Sequence, residues 1–461
     1  MSRPNVIVVM ADDMGFGDFG CFSEGRVHTP ALDQLVAEGV CCSQHYAASA
    51  VCTPSRAGFL TGRYPHRTGA IDMRESRGLD RLHLRERTMA DVFRSAGYAT
   101  GLVGKWHNGA VGAEYHPNQR GFDEFTGFRH GLMDYYDWRM ERNGSPFISD
   151  GCYLTDVLAA EANDFIRRHR QEPFFLYLAY NAPHTPLQAP EEDLRPYTES
   201  GRFTKEQALV YAMISRLDRA LASLRDTLVE QGIDDNTLLI FTSDNGPNLD
   251  HRMERFNAHL REGKMHVYEG GIRLPMVVRW PDGMERNGDF HGLVHSCDLL
   301  PTLLTACGIE DESPLPLDGV DVWSALRDNS PQAEQPLRFW QWNRYGPEVA
   351  CNAAAREGNW KLVRPVIPEA METDAEEMAI DRRLLNEPES FNPYWLTAPM
   401  PERTLSAPSK PELYNLANDP GEQQNLAANY PEIVDGLMLK LQNWFDDVEG
   451  ERRAHASATV S

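Results

Sequence analysis

An α/β fold, a large and mostly parallel sheet sandwiched by helices, is predicted by two features of this 461-residue sequence. Apolar runs of strand length alternate with stretches of helical periodicity, the rhythm that βαβ units impose. Asp12-Asp13, His184 and Asp244-Asn245 each follow directly on an apolar run. Sheets of this kind gather their ligands at the carboxyl ends of strands.

The elements follow in chain order. Residues 6–10 (Val-Ile-Val-Val-Met) read as a buried strand running straight into Asp12-Asp13. Residues 29–39 form a helix with Pro30 in its first turn, Leu32, Leu35 and Val36 on one face, and a terminal glycine. Met89, Val92, Phe93 and Ala96 repeat at helical spacing and stop at Gly97, after which residues 98–103 read as a strand. A helix over 157–170 precedes a buried strand over 174–180. The long helix over 204–231 carries Leu209, Met213, Leu217, Leu221, Leu224 and Leu228, and residues 238–242 supply the next strand.

From residue 336 the texture changes. Residues 337–342 and 359–363 read as antiparallel strands and 431–445 as an amphipathic closing helix. Two domains are therefore expected, a large one over 1–335 and a smaller α+β one over 336–461. Residues 369–389 are acidic and read as a solvated loop rather than a binding element, and 449–461 as a disordered tail.

Length alone suggests two or three domains. A chain with 41% hydrophobic and 25% charged residues is globular. Acidic residues outnumber basic ones, 68 to 45, for a net charge of −23. That balance argues against nucleic acid or an anionic membrane as partner. It also requires a local basic pocket for any anionic substrate, and favours a small or oligomeric one. No stretch approaches a membrane span and no signal peptide is visible. As written the chain is expected in the cytoplasm, or in the periplasm or medium if a leader has been removed. The eight cysteines form neither a disulfide framework nor a zinc spacing, and buried free thiols are expected.

Chemistry concentrates at residues 52–61. Cys52 is expected near the N-cap of a helix with Pro54 at its first position, where free N–H groups stabilise an anion. Arg56 lies one turn further on the same side. Asp12, Asp13, Asp244 and Asn245 offer oxygen ligands, three of them anionic, suited to Ca2+ or Mg2+. Gly15 and Gly17 permit the turn that would let adjacent carboxylates share an ion. Lys105 and His107 flank Trp106 at the end of a strand, where alternation puts both on one face to grip an oxyanion. His184 sits between two prolines and Lys264 beside Gly263.

Cys52-Thr53-Pro54-Ser55-Arg56 resembles the signature of the type I, formylglycine-dependent sulfatases of the alkaline phosphatase-like superfamily. The resemblance extends through Asp12-Asp13, Gly104-Lys105-Trp106-His107, Ala182-Pro183-His184-Thr185-Pro186 and Ser243-Asp244-Asn245-Gly246. It continues in Gly263-Lys264 and Glu269-Gly270-Gly271-Ile272-Arg273-Leu274-Pro275. It implies that Cys52 is oxidised by a formylglycine-generating enzyme to an aldehyde whose hydrate is the nucleophile. It implies a calcium ion held by Asp12, Asp13, residue 52, Asp244 and Asn245. Arg56, Lys105 and Lys264 would then neutralise the sulfuryl oxygens. His184, with Lys264, would protonate the departing alcohol, and His107 would help expel sulfate. Asn108 and Met265 depart from the family's commoner leucine and glycine.

The expected substrate is a sulfate monoester of a mono- or oligosaccharide. The alternatives are a formylglycine-dependent phosphonate or phosphate monoester hydrolase and a non-catalytic relative that binds sulfated glycans. Arg63, Arg67, Arg74, Arg77, Arg81, Arg85 and Arg87 could read acidic sugars or form salt bridges, with equal weight. Tyr135, Tyr136, Trp138, Trp340, Trp342, Tyr345 and Trp395 could stack on sugar rings, with core packing the expected fate of most.

Overall fold

The computed structural model describes residues 3–250, 253–284, 287–310, 313–328 and 336–458. Its centre is β1 (Asn5–Ala11), buried along its whole length. Ile7, Val9 and Ala11 enter one hydrophobic core while Val6, Val8 and Met10 enter another. A strand whose alternate residues feed two cores must have cover on both faces, as the unbroken apolar run implied.

The remaining strands are β2 (Val40–Tyr46), β3 (Ala99–Lys105), β4 (Glu124–Phe128), β5 (Arg139–Arg142), β6 (Ser145–Ile148), β7 (Phe174–Ala179), β8 (Thr237–Ser243), β9 (Arg273–Arg279), β10 (Gly288–Phe290) and β11 (Val294–His295). They order as β10-β2-β9-β8-β1-β7-β3-β4-β5-β6, with β11 beside β2. The block β8-β1-β7-β3-β4 is entirely parallel; β9 and the β5–β6 hairpin run antiparallel. The large, mostly parallel sheet is as predicted. Helices Leu154–His169 and Lys205–Glu230 pack in the first core, and Met89–Ser95 and Leu299–Cys307 in the second. The long helix starts where Thr204 and Gln207 form a capping box.

A smaller antiparallel sheet follows, β12 (Arg338–Gln341), β13 (Ala353–Glu357), β14 (Trp360–Arg364) and β15 (Glu412–Asn415). One of its faces receives Val434, Leu437, Leu441 and Phe445 from the helix Pro431–Ala458. The expected junction at residue 335 lies outside the described residues.

Two expectations fail. Residues 369–389 are not a solvated loop: helices Pro368–Met371 and Ala375–Asn386 occupy the segment. Glu377 and Asp381 are drawn onto Arg77 and Arg74. The tail is likewise ordered, since the closing helix runs on to Ala458. Glu451 meets Arg63, Arg67 and Arg85 at 2.5–2.6 Å, which holds that turn in place; residues 459–461 lie outside the described residues. The cysteines are free as expected, but Cys21 and Cys152 are exposed rather than buried.

Candidate active site

Each central strand delivers its side chains to one edge. β1 leads into Asp12 and Asp13, β3 ends at Lys105, β7 precedes His184, and β8 leads into Asp244 and Asn245. Asp13 adopts a left-handed φ of 67°, and its N–H points at the Asp244 carboxylate, 3.3 Å away. The turn beyond it is tight. A Cβ on Gly17 would stand 2.0 Å from the carbonyl oxygen of Phe256, so only glycine fits there.

The nucleophile helix spans Cys52–Thr61 with Val51 as N-cap. Cys52 is therefore its first residue and Pro54 its third, two positions later than expected. The Cys52 Sγ lies 3.5 Å from Asp12 Oδ1 and 3.2 Å from Lys264 Nζ. Burial, then the Asp12 charge, pushes its thiol up to about 12, so the unmodified side chain is a neutral thiol and a poor nucleophile.

Three buried carboxylates face three buried cations. Lys105 Nζ donates to Asp12 Oδ2 at 2.5 Å, and Lys264 Nζ to Asp13 Oδ1 at 2.6 Å. Arg56 grips Asp244 Oδ2 through Nε at 2.9 Å and Nη2 at 2.8 Å. Burial works to raise Asp13, yet Lys264, His184 and the hydrogen bonds from Lys264 and Asn245 hold its carboxyl well below the usual range. For Asp244 burial and the Asp12 charge prevail and the pKa is raised. Burial opposes charge on Lys264, but Asp13 and residue 52 outweigh it and keep the ammonium ionised.

The ligand atoms of Asp12, Asp13, Cys52 and His184 lie within 4.8 Å of one another. Asn245 donates its amide N–H to Asp13 Oδ1 at 2.7 Å, while its own Oδ1 is buried with no hydrogen-bond partner. An orphaned amide oxygen beside converging carboxylates fits a hard cation. His184 joins this cluster, which the sequence did not indicate. Asp244 instead turns one oxygen onto Arg56.

Lys105 and His107 do reach one site, though not by strand alternation. The strand stops at Lys105, Trp106 is buried in the second core, and His107 turns back through a φ of 51°. Burial, then the charges of Lys105, Arg56 and Lys264, lowers the His107 pKa far below its usual value, leaving a neutral imidazole. Its Nδ1 is buried without a partner. Burial, then Lys264, presses His184 down to about 3; its Nδ1 sits 2.8 Å from the Thr185 carbonyl oxygen, so Nδ1 carries the proton and Nε2 is an acceptor.

Cys52, His107, His184 and Lys264 line one cavity of about 340 Å³. Arg56 and Lys105 do not line it. Both are fully buried, Arg56 against Asp244 and Lys105 against Asp12.

Residues outside the matched blocks complete the cavity. Glu75, buried, accepts from the Gly131 N–H at 2.5 Å, meets His130 Nδ1 at 2.7 Å and stands 3.6 Å from His107 Nε2. Arg74, Arg344, Asp381 and Arg382 line the cavity too. Arg74 is among the arginines the sequence offered for reading acidic sugars; no local signal marks Glu75, Arg344, Asp381 or Arg382, because their contacts lie tens to hundreds of residues away. Met265 lines the cavity at a φ of 75°, conformation that explains why glycine is commoner there. Asn108 faces away and donates to the Thr53 carbonyl oxygen at 3.1 Å. Of the aromatics, Tyr135, Trp138, Trp340, Trp342 and Tyr345 are core residues. The arginines mostly form salt bridges: Arg63 with Glu86 and Glu451, Arg67 with Asp318 and Glu451, Arg77 with Glu377.

The Sulfatase family model matches residues 4–309, and a model described as N-sulphoglucosamine sulphohydrolase, C-terminal, matches 259–379. Human arylsulfatase A is 33% identical, over 95% of this chain and 88% of its own length. The N-acetylgalactosamine-6-O-sulfatase of Bacteroides thetaiotaomicron is 30% identical, over 96% and 93%. The solved structure of Ps i-CgsB superimposes with a TM-score of 0.81 at 28% identity, over 96% of this chain and 93% of its own. The same protein has been solved with k-i-k-neocarrahexaose.

Proposed function

The chain belongs to the sulfatase family of sulfuric ester hydrolases, and from that premise we propose that it removes sulfate from a mono- or oligosaccharide. The observation that carries this reading is the cavity in which residue 52, Lys264, His107 and His184 meet, a cationic opening in a chain of net charge −23. One relative is named an N-acetylgalactosamine-6-O-sulfatase and another protein of similar structure has been solved with k-i-k-neocarrahexaose, and a cavity of about 340 Å³ is of ligand size.

In this reading Cys52 is converted by a formylglycine-generating enzyme, and the hydrated aldehyde supplies the nucleophilic oxygen that a buried thiol does not. Asp12, Asp13, residue 52, Asp244 and Asn245 would hold the cation, calcium in the family, which when bound would acidify that oxygen and polarise the sulfuryl group. Lys264 neutralises developing charge on the sulfuryl oxygens from within the cavity. Lys105 and Arg56 act one layer back: they hold Asp12 and Asp244 in place by charge and hydrogen bonding. The proton for the leaving oxygen comes from the Lys264 ammonium, which stays ionised, and His184, whose Nε2 is an acceptor, relays it through that nitrogen. Neutral His107 takes a proton from residue 52 through its free Nδ1, which releases sulfate and restores the starting state.

The test uses protein co-produced with a formylglycine-generating enzyme, with conversion at Cys52 confirmed by mass spectrometry. Sulfate released from sulfated mono- and oligosaccharides is measured by ion chromatography, with phosphate and phosphonate esters in parallel. Release from a sugar class is expected. Turnover of phosphorus esters alone, or tight glycan binding without release, would defeat the reading. Cys52→Ser is expected to abolish multiple turnover, and sustained turnover by that variant would rule out the hydrated aldehyde.

A further inference from the structure

The cavity is lined as well by residues 73–75, by Arg344 and by the helix Ala375–Asn386. These bring three guanidinium groups to it. Arg344 is buried, meets Asp72 Oδ1 at 3.1 Å through Nη1, and leaves Nε without a hydrogen-bond partner. Arg74 Nη1 pairs with Asp381 Oδ2 at 2.7 Å, and its buried Nε has no partner. Arg382 is exposed on the helix and lines the cavity without an ion pair among the described residues. Asp72 and Asp381 are thus matched by Arg344 and Arg74, and Glu75 is taken by His130, His107 and the Gly131 N–H. Arg382 is left in excess.

The arrangement is costly as it stands. Burial, with the adjacent Arg74 charge adding to it, lowers the Arg344 pKa against the pull of Asp72. Like charges placed together at a cavity wall, with donors unspent, are relieved by an anion. The sulfuryl group is assigned to residue 52 and Lys264, which stand 3.2 Å apart, and this leaves the arginines for a different anion.

We propose that Arg382, Arg344 and Arg74 form a second anion subsite, so that the substrate carries another anionic group, a sulfate or a carboxylate, beside the sulfate ester that is cleaved. The proposal rests on the sulfatase reading for what occupies the first subsite. The acidic insertion is then what makes this cavity selective. Asp381 fixes Arg74, Glu377 ties the helix to Arg77, and the same helix presents Arg382. Met378 and Leu385 on that helix, with Leu132 and Met73 opposite, supply apolar walls for the ring between the two charges.

The test is a binding measurement on the full chain carrying Cys52→Ala, which separates it from turnover. Propanesulfonate, propane-1,3-disulfonate, butane-1,4-disulfonate and 4-sulfobutyrate are titrated by calorimetry. At least one dianion is expected to bind about tenfold more tightly than propanesulfonate. Arg382→Ala and Arg382→Glu, on an exposed position and with unchanged melting temperature, are expected to shrink that gap to about twofold. A preference for the disulfonates assigns a second sulfate, and a preference for 4-sulfobutyrate assigns a carboxylate. Equal binding of monoanion and dianions, no measurable binding of any, or a gap that survives in Arg382→Ala overturns the subsite. The sulfatase reading is judged separately by sulfate release from converted wild-type protein, so either can fail alone.

Discussion

His107 shows how a single side chain is prepared for proton transfer. Its φ of 51° folds the ring back over the site, and Gly131 lets it lie there, since a Cβ on Gly131 would stand 2.5 Å from the ring. Glu75 closes the arrangement: it fixes Gly131 through a backbone hydrogen bond and faces His107 Nε2 at 3.6 Å. That distance is electrostatic rather than a hydrogen bond. It favours the tautomer with the proton on Nε2 and the lone pair on the buried, unpartnered Nδ1. Glu75 is therefore a positioning residue. Glu75→Gln keeps the volume and loses the charge, and is expected to lower kcat about tenfold, a part of what general base catalysis contributes, with KM nearly unchanged. Glu75→Asp should recover part of the rate. A variant in which KM rises and kcat holds would mean that Glu75 serves binding instead.

At the scale of elements, two helices do work that their composition conceals. The end of Pro431–Ala458 reaches across the molecule, and Glu451 joins Arg63, Arg67 and Arg85, with Arg63 almost wholly buried. Glu451→Gln leaves Arg63 with Glu86 and Arg67 with Asp318, so the loss is partial. Unfolding by urea should show a destabilisation of about 1–3 kcal/mol, the cost of leaving a buried donor short of its partner. An unchanged midpoint would mean that the turn around Glu451 contributes nothing. The strands and helices of the first 280 residues were legible because their signals are local: apolar runs, capping boxes and terminal glycines act within a few residues. So was the assembly of Asp12, Cys52, Lys105, His184 and Asp244, because strand ends share an edge. The helix Ala375–Asn386 was not legible. An acidic stretch reads as solvated unless its cations are known, and Arg77 lies 300 residues from Glu377. Separation in sequence also hid Glu75, whose partners His130 and Gly131 lie 55 and 56 residues away, and Arg382, which carries no local signal.

Across the whole molecule, the two sheets are joined by charge as well as by apolar packing. Tyr46 of the large sheet, with Ala50, Val267 and Ile272 from the segments beside it, meets Trp340, Ala354 and Val363 of the small one. At the centre of that contact Lys361 Nζ lies 2.9 Å from both Glu269 and Glu422, all of them fully buried side chains or nearly so. Glu269 belongs to the Glu-Gly-Gly block, and its place is this junction rather than the cavity. One lysine cannot balance two carboxylates, although Arg273 and Arg356 also bear on Glu269. Burial works to raise Glu269, but Lys361, Arg273 and Arg356 hold it down at about 2. Burial, then the Glu269 charge, pushes Glu422 up to about 7 despite Lys361. The unfolded chain releases the Glu422 proton near its ordinary value of 4.5, whereas the folded protein keeps it to about 7. Between those values the folded state binds the extra proton, so its stability falls as pH rises through the window. Below it the sign reverses, because the unfolded chain protonates Glu269 while the folded protein does not. Glu422→Gln removes the first slope and leaves the second. The stability of the variant minus that of the wild type should therefore climb from roughly pH 5 to pH 8, and other raised carboxyls such as Asp80 and Asp218 cancel in the difference. Urea unfolding of both proteins at three pH values across that range measures it. Parallel stability curves would show that Glu422 is ionised in the folded protein throughout, and that Lys361 with its neighbouring arginines stabilises both carboxylates together.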